Sequence, residues 1–288
     1  MTSCQIPPQI NPASQAPASQ LVDRSALAQR RARALQAEPV DFLHRVALDE
    51  MQDRLAEVNR PFKDMAIVTG FPDFWRAVMP EAKVVEDCPV LDLQPASHDL
   101  VLHAMALHWA EDPVGQLVQA ARALRPDGLL LVATLGGETL SELRDSLTRA
   151  EVEVTSGLSP RVLPMGEIRD LGALLPRAGL ALPVADHLRQ SVSYRNFFHL
   201  AKDLRGMGET NALAARLRQP TRRDVLLRAA EIYAQDHADP ANPDRVLATF
   251  DLIFLTGWAP SDNQQKPLRP GSAKMSLSEA LASKRKDA

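Results

Sequence analysis

Three histidines, His98, His103 and His108, fall at intervals of five in the run HDLVLHAMALHW. A facial metal triad would need two of them around one ion, together with a carboxylate. On a strand rising about 3.3 Å per residue, His98 and His108 lie roughly 30 Å apart, and His98 and His103 face opposite sides. No metal site is therefore expected. His108 stands beside Trp109 at the end of the run, where an imidazole could accept a proton near neutral pH; the bland alternative is a packed Trp and a loop-capping His. A second chemical group is Gly136-Gly137-Glu138-Thr139. Its glycines could offer free N–H groups to an anion at a helix start, or form only a tight turn. Glu138 has no local structural reason to be there and is the candidate base. Arg161 follows Ser159-Pro160 and could clamp an acidic group, although a surface Arg fits as well. Glu209 and Asn211 close a loop, GMGETN, whose glycines turn chemistry explains but whose polar residues it does not. That loop is a candidate lid over substrate.

The elements that must position these residues are legible around them. Leu100 to Leu107 suits a buried strand. Asp112-Pro113 opens a helix with Pro at its first position, and Val114, Leu117, Val118, Ala121 and Leu124 mark its apolar face. Pro126-Asp127-Gly128 is turn chemistry, and Leu129 to Leu135 is a second apolar strand. Strand, helix, strand makes a parallel unit in an α/β sheet covered on both faces. Function in such sheets gathers beyond the carboxyl ends of the strands, where His108, Trp109 and Gly136 to Thr139 stand. Helices are expected at 23–37, 41–59, 72–79, 139–150 (with a Thr139–Glu142 capping box), 167–178, 195–205 and 221–236. Further strands are expected at 65–69, 83–86, 182–192 and 247–258, the last two antiparallel. Residues 1–22 read as a disordered leader, 23–260 as one domain with a helical insertion at about 195–236 covering the active edge, and 261–288 as a polar tail.

Composition bounds the rest. Of the 288 residues, 45% are hydrophobic and 24% charged, which is ordinary for a globular chain. A formal charge of -3 leaves no electrostatic footprint for nucleic acid. No apolar run is long enough to span a bilayer, and the uncharged opening residues lack the apolar core of a secretory signal.

The order strand, Leu107-His108-Trp109, helix, Leu124-Arg125-Pro126-Asp127-Gly128, strand resembles the second half of class I S-adenosylmethionine (SAM)-dependent methyltransferases. The motifs GGETLSELR (136–144), GLSPRVLPM (157–165), DLGALLPRAG (170–179), DLRGMGETNAL (203–213) and FDLIFLTGW (250–258) are similar to those of the methyltransferase-fold assembly factors of respiratory complex I, of arginine-hydroxylase type. They are more distantly similar to the malonyl-carrier methyltransferases of biotin synthesis. The resemblance spans roughly Asp23 to Ala273. It implies a Rossmann-like methyltransferase sheet, SAM as cofactor, a protein substrate or partner such as a complex I subunit, and a bacterial cytoplasmic or mitochondrial matrix setting. In such a transferase Glu138 or His108 would take the proton from the nucleophile, and Gly136, Gly137, Arg161, Glu209 and Asn211 would face substrate.

Two departures bear on the cofactor. The family carries Asp-x-Gly-x-Gly-x-Gly after its first strand, where glycine lets the backbone approach the cofactor. Here Ala66-Ile67-Val68-Thr69-Gly70-Phe71-Pro72 keeps one glycine, Gly70. From Glu86 to His98 there are too few residues for a helix, a further strand and a turn. The sheet is therefore expected to be pruned by one unit on the side that holds adenosine. Gly70, Glu86, Asp87 and Trp109 are the remaining cofactor candidates, with Glu86 or Asp87 where a ribose-binding acid belongs. Two functions stay open: a SAM-dependent methyltransferase acting on a protein side chain, and a non-catalytic assembly factor that keeps the substrate surface without the cofactor.

Overall fold

The structure is a computed structural model that describes residues 20–58 and 60–264. Leader residues 1–19 and tail residues 265–288 lie outside the described residues. One sheet organises the chain. Its strands run β1 (Met65–Thr69), β2 (Lys83–Glu86), β3 (His98–Ala104), β4 (Leu124–Gly136), β5 (Ala181–Tyr194), the short β6 (Ala238–Asp239) and β7 (Asn242–Trp258). The spatial order is β2-β1-β3-β4-β7-β5, with β6 paired to β7. The β1–β2, β1–β3 and β3–β4 pairs are parallel, while β7 is antiparallel to both β4 and β5. Residues 87–97 contribute no strand, so the sheet ends at β2 as the short 86–98 connection requires.

Alternation along the central strands fills two cores. Leu100, Leu102, Leu129, Leu131, Ala133 and Leu135 face one side, against α2 (Phe42–Glu57), α3 (Pro72–Val78), α5 (Ser141–Thr155), α8 (Phe197–Gly206) and α9 (Arg223–Asp236). Val101, Leu130 and Val132 face the other, against α4 (Pro113–Ala123) and α7 (Leu174–Arg177). Period-two patterning with apolar residues on both faces is what a sheet sandwiched by helices demands. A third, smaller cluster lies over the carboxyl edge. There Ala26 and Leu27 of α1 (Arg24–Gln36) meet Trp109, Leu163, Ala212 and Leu213.

Local chemistry explains the boundaries. The Asp112 side chain accepts from the Gly115 amide at 2.8 Å and Pro113 occupies the first turn of α4, as the sequence predicts. Four expectations need correction. The strand expected to reach Leu107 stops at Ala104, because Met105 takes a left-handed backbone (φ 52°) and Leu107–Trp109 coil into a 3-10 turn. The Thr139–Glu142 capping box does not form. Thr139 Oγ1 instead donates to the Gly136 carbonyl (2.7 Å) and accepts from the Asp251 amide (2.9 Å), while the Glu142 carboxylate accepts from Thr249. The helix expected at 167–178 is two short pieces, α6 (Ile168–Gly172) and α7, divided at Ala173. At the end of the leader, Val22 is 2% exposed. It forms a β-bridge with Leu213, while the Leu21 and Val22 amides donate to the Glu111 carboxylate.

Candidate functional site

The carboxyl ends of β1, β2, β3 and β4 open towards α1 and the 206–213 loop, and two polar clusters sit there. The first is built on Glu209. Leaving β3, the 3-10 turn presents His108 and Trp109 side by side. The Trp109 indole N–H donates to Glu209 Oε2 at 2.6 Å, and His108 Nε2 stands 3.2 Å from the same oxygen. Thr134 of β4 holds the other face of the imidazole, its Oγ1 3.2 Å from His108 Nδ1. The His108 and Glu209 side chains are 3% and 13% exposed, so the pair is shielded from solvent. Burial works to raise the Glu209 carboxyl, but the His108 imidazole, Arg31 and the Trp109 indole outweigh it and hold it below the usual carboxylate range.

The second cluster is built on Asp87. Asp87 follows β2, its amide donating to the Thr69 carbonyl at the end of β1. Arg31 Nη1 donates to Asp87 Oδ1 at 2.8 Å and Arg24 Nη1 reaches Oδ2 at 3.3 Å; Arg24 Nη2 also donates to the Asp87 carbonyl. Burial raises the Asp87 carboxyl and the two guanidiniums more than reverse that, leaving it below its ordinary value. The guanidinium of Arg31 lies directly on Gly70. A Cβ built there would come within 2.2–2.5 Å of its Cζ and two nitrogens. Arg31 Cζ also stands 5.8 Å from the centre of the Phe71 ring, and its Nε and Nη2 are buried without a hydrogen-bond partner.

These contacts decide how the cofactor candidates fit SAM. Gly70 is covered by Arg31, Asp87 is committed to two arginines, and Glu86 points to solvent on the edge strand. Trp109 gives its N–H to Glu209. In this arrangement the Arg31 guanidinium packs on Gly70 beyond the end of β1 and pairs with Asp87 beyond the end of β2.

The substrate candidates divide. Glu209 and Trp109 meet, and both line a cavity of about 780 Å³ together with Arg161 and Asn211. Arg161 is not a free clamp: it makes a bidentate pair with the buried Glu151 (2.8 and 2.7 Å) and donates to Thr221 Oγ1. The Asn211 amide donates to the Pro160 carbonyl and its Oδ1 accepts from Leu213, which fastens the loop rather than leaving it open. Gly136 and Gly137 do not offer free N–H groups. Gly136 pairs with Asp251 across the sheet, and the Gly137 amide donates to Gly166. Glu138 is exposed, and its amide faces Asp251, so the structure does not bring it to His108. Among the described residues no group of three His, Cys, Asp or Glu could hold a metal ion. None of their helices is long and apolar enough to cross a membrane.

Sequence reasoning missed Arg24 and Arg31. Their signal was available: Arg24, Leu27, Arg31 and Ala34 follow one another at helical spacing, which sets both guanidiniums on one α1 face beside buried apolar residues.

Comparison with known proteins agrees with the methyltransferase likeness read from the motifs. Residues 67–132 match a family model described as a methyltransferase domain. The chain is 41% identical over 187 residues to the mitochondrial arginine-hydroxylase NDUFAF5 of Dictyostelium discoideum, covering 65% of this chain and 42% of that one. It is 32% identical over 190 residues to the malonyl-(acyl-carrier protein) O-methyltransferase of Laribacter hongkongensis, covering 66% of this chain and 61% of that one. The chain thus spans less than two thirds of the length of these curated relatives. Among solved structures, phosphoethanolamine N-methyltransferase 2 of Haemonchus contortus, in complex with S-adenosyl-L-methionine, aligns with a TM-score of 0.38 at 12% identity, over 70% of this chain and 50% of that one.

Proposed function

We propose that this chain, whose residues 67–132 match a methyltransferase domain, works in respiratory complex I assembly as a protein that recognises a partner subunit without transferring a methyl group. The observation that carries this reading is the Arg31 guanidinium seated on Gly70 and paired with Asp87. Methyl transfer depends on holding donor and nucleophile in line, and the residues that would hold the donor are spent on an internal ion pair. The likeness to a mitochondrial arginine-hydroxylase over 65% of this chain supports the setting in complex I assembly. The Glu209–His108–Trp109 cluster at the same edge serves in this reading to fix the 206–213 loop against the strand ends.

Calorimetric titration of the purified protein with SAM and S-adenosylhomocysteine tests the first part. No binding up to millimolar ligand is expected. Micromolar binding, weakened in Asp87→Ala, would overturn it and restore a SAM-dependent methyltransferase acting on a protein side chain, with Asp87 and Trp109 at the cofactor and His108 as proton acceptor. The second part is read in cells lacking the gene: complex I activity should fall and return with the wild-type chain. Undiminished activity would remove the assembly role.

A further inference from the structure

The cavity beside Glu209 has a composition that partner recognition through the loops does not explain. Its floor is apolar, formed by Leu135, Leu140, Leu143, Phe197, Met207 and Phe250. Its rim carries six arginines, Arg30, Arg33, Arg161, Arg205, Arg216 and Arg218, against one acidic residue, Glu209. That acid is already engaged by His108 and Trp109. Arg161 is neutralised by Glu151, and Asp23 answers Arg216 and Arg218. Arg30, Arg33 and Arg205 have no carboxylate within ion-pair distance among the described residues, and Arg30 spends only its Nε–H, on the Asn211 carbonyl. All three also border the adjoining cavity, whose lining adds Lys202 and the carboxylates of Glu38, Asp41 and Asp203, none of them in ion-pair contact with Arg30, Arg33 or Arg205 among the described residues. Arg30 and Arg33 are one turn apart on α1, and Arg205 meets them from α8.

Guanidiniums with no carboxylate in contact, gathered around one opening, repel one another, and an oxyanion with two or more oxygens is the group that their planar forks match. The Arg30 guanidinium is held below its usual value by burial and by repulsion from Arg216 and Arg33, which outweigh the attraction of Asp23. The floor fixes the other half of the ligand. A peptide would bring backbone amides that six apolar side chains cannot satisfy. A hydrocarbon chain brings none. The volume of about 780 Å³ lies within the range of roughly 300–1,000 Å³ usual for small-ligand sites.

We propose that this cavity binds a single acyl chain ending in an oxyanion, the tail on the Leu135–Phe250 floor and the carboxylate or phosphate head on Arg30, Arg33 and Arg205. This goes beyond the assembly role and does not depend on whether SAM binds. The test is calorimetric titration of the full chain with laurate and with dodecyl phosphate, each below its micellar concentration, beside three controls: octanoate, uncharged monolaurin and inorganic phosphate. Micromolar binding of at least one twelve-carbon anion is expected, with every control at least tenfold weaker. The Arg33→Ala/Arg205→Ala variant, which alters two exposed side chains, should lose at least tenfold for the anions and nothing for monolaurin. Comparison of laurate with dodecyl phosphate identifies the head group. The proposal fails if neither anion binds at millimolar concentration, if inorganic phosphate binds as tightly as dodecyl phosphate, or if the double variant binds as the wild type does.

Discussion

At the scale of single residues, the carboxyl edge is governed by two carboxylates that stand out in the sequence, Asp87 and Glu209, and two arginines that do not, Arg24 and Arg31. Asp87 and Glu209 stood out because strand ends and dense turn loops are where such chemistry collects. Their partners come from 56 to 101 residues away in sequence, beyond the reach of any local pattern. Replacing Arg31 by Met should destabilise the chain by about 3 kcal/mol, because it leaves the buried Asp87 with the weaker Arg24 contact alone. Arg31→Met/Asp87→Asn should recover part of that loss, and urea unfolding of the four chains in a double-mutant cycle measures the coupling. Glu209→Gln should cost roughly 2 kcal/mol at neutral pH, the weight of a charge-assisted hydrogen-bond set. The Glu209 carboxyl is held below its ordinary range in the folded chain. Its contribution is therefore present above the unfolded carboxylate range and disappears as pH falls through the lowered folded value. The melting temperatures of wild type and Glu209→Gln should accordingly converge in acid.

At the scale of elements, the parallel βαβ unit is readable, since continuous apolar strand runs and a Pro-opened helix are local signals, whereas the antiparallel direction of the final pair is an expectation that comes with the methyltransferase-like fold. Local signals misled where a side chain had a distant use. Thr139 and Glu142 have the spacing of a capping box, yet both are taken by β7, through Asp251 and Thr249. Helix α5 starts instead from Leu140 in a left-handed backbone (φ 54°). The glycines before it serve close packing. A Cβ on Gly136 would stand 2.2 Å from Ile253 Cδ1 and 2.8 Å from the Gly166 carbonyl oxygen. Gly136→Ala is expected to cost on the order of 1–3 kcal/mol through overpacking between β4 and β7, which chemical denaturation would register as a lower midpoint. A variant with wild-type stability would mean that the 164–168 loop yields freely.

At the scale of the whole molecule, two buried imidazoles make the fold acid-sensitive before its carboxylates titrate. His44 of α2 accepts the Trp75 indole N–H of α3 at 3.3 Å, and His103 of β3 meets Gln116 of α4. Burial lowers each to about 4 from an ordinary value of 6.5. Below 6.5 the unfolded chain binds protons that the folded chain refuses, so stability falls between about pH 6.5 and 4, by an amount of order 3 kcal/mol for each histidine. Calorimetric melting across that range checks the slope. A flat profile would show that both rings protonate in place. The pruned sheet was legible from the short 86–98 connection, and its strand order carries one further consequence. β7 lies between β4 and β5 but is the last strand among the described residues. During synthesis at roughly 5–20 residues per second, β5 emerges on the order of several seconds before β7, its one partner strand among the described residues. Until then β4 has an open apolar edge and β5 has no sheet to join. A nascent chain halted after Asp239 should pellet on release from the ribosome, while the chain extended through Trp258 stays in the supernatant, so that seventeen residues made late close a sheet begun at Met65.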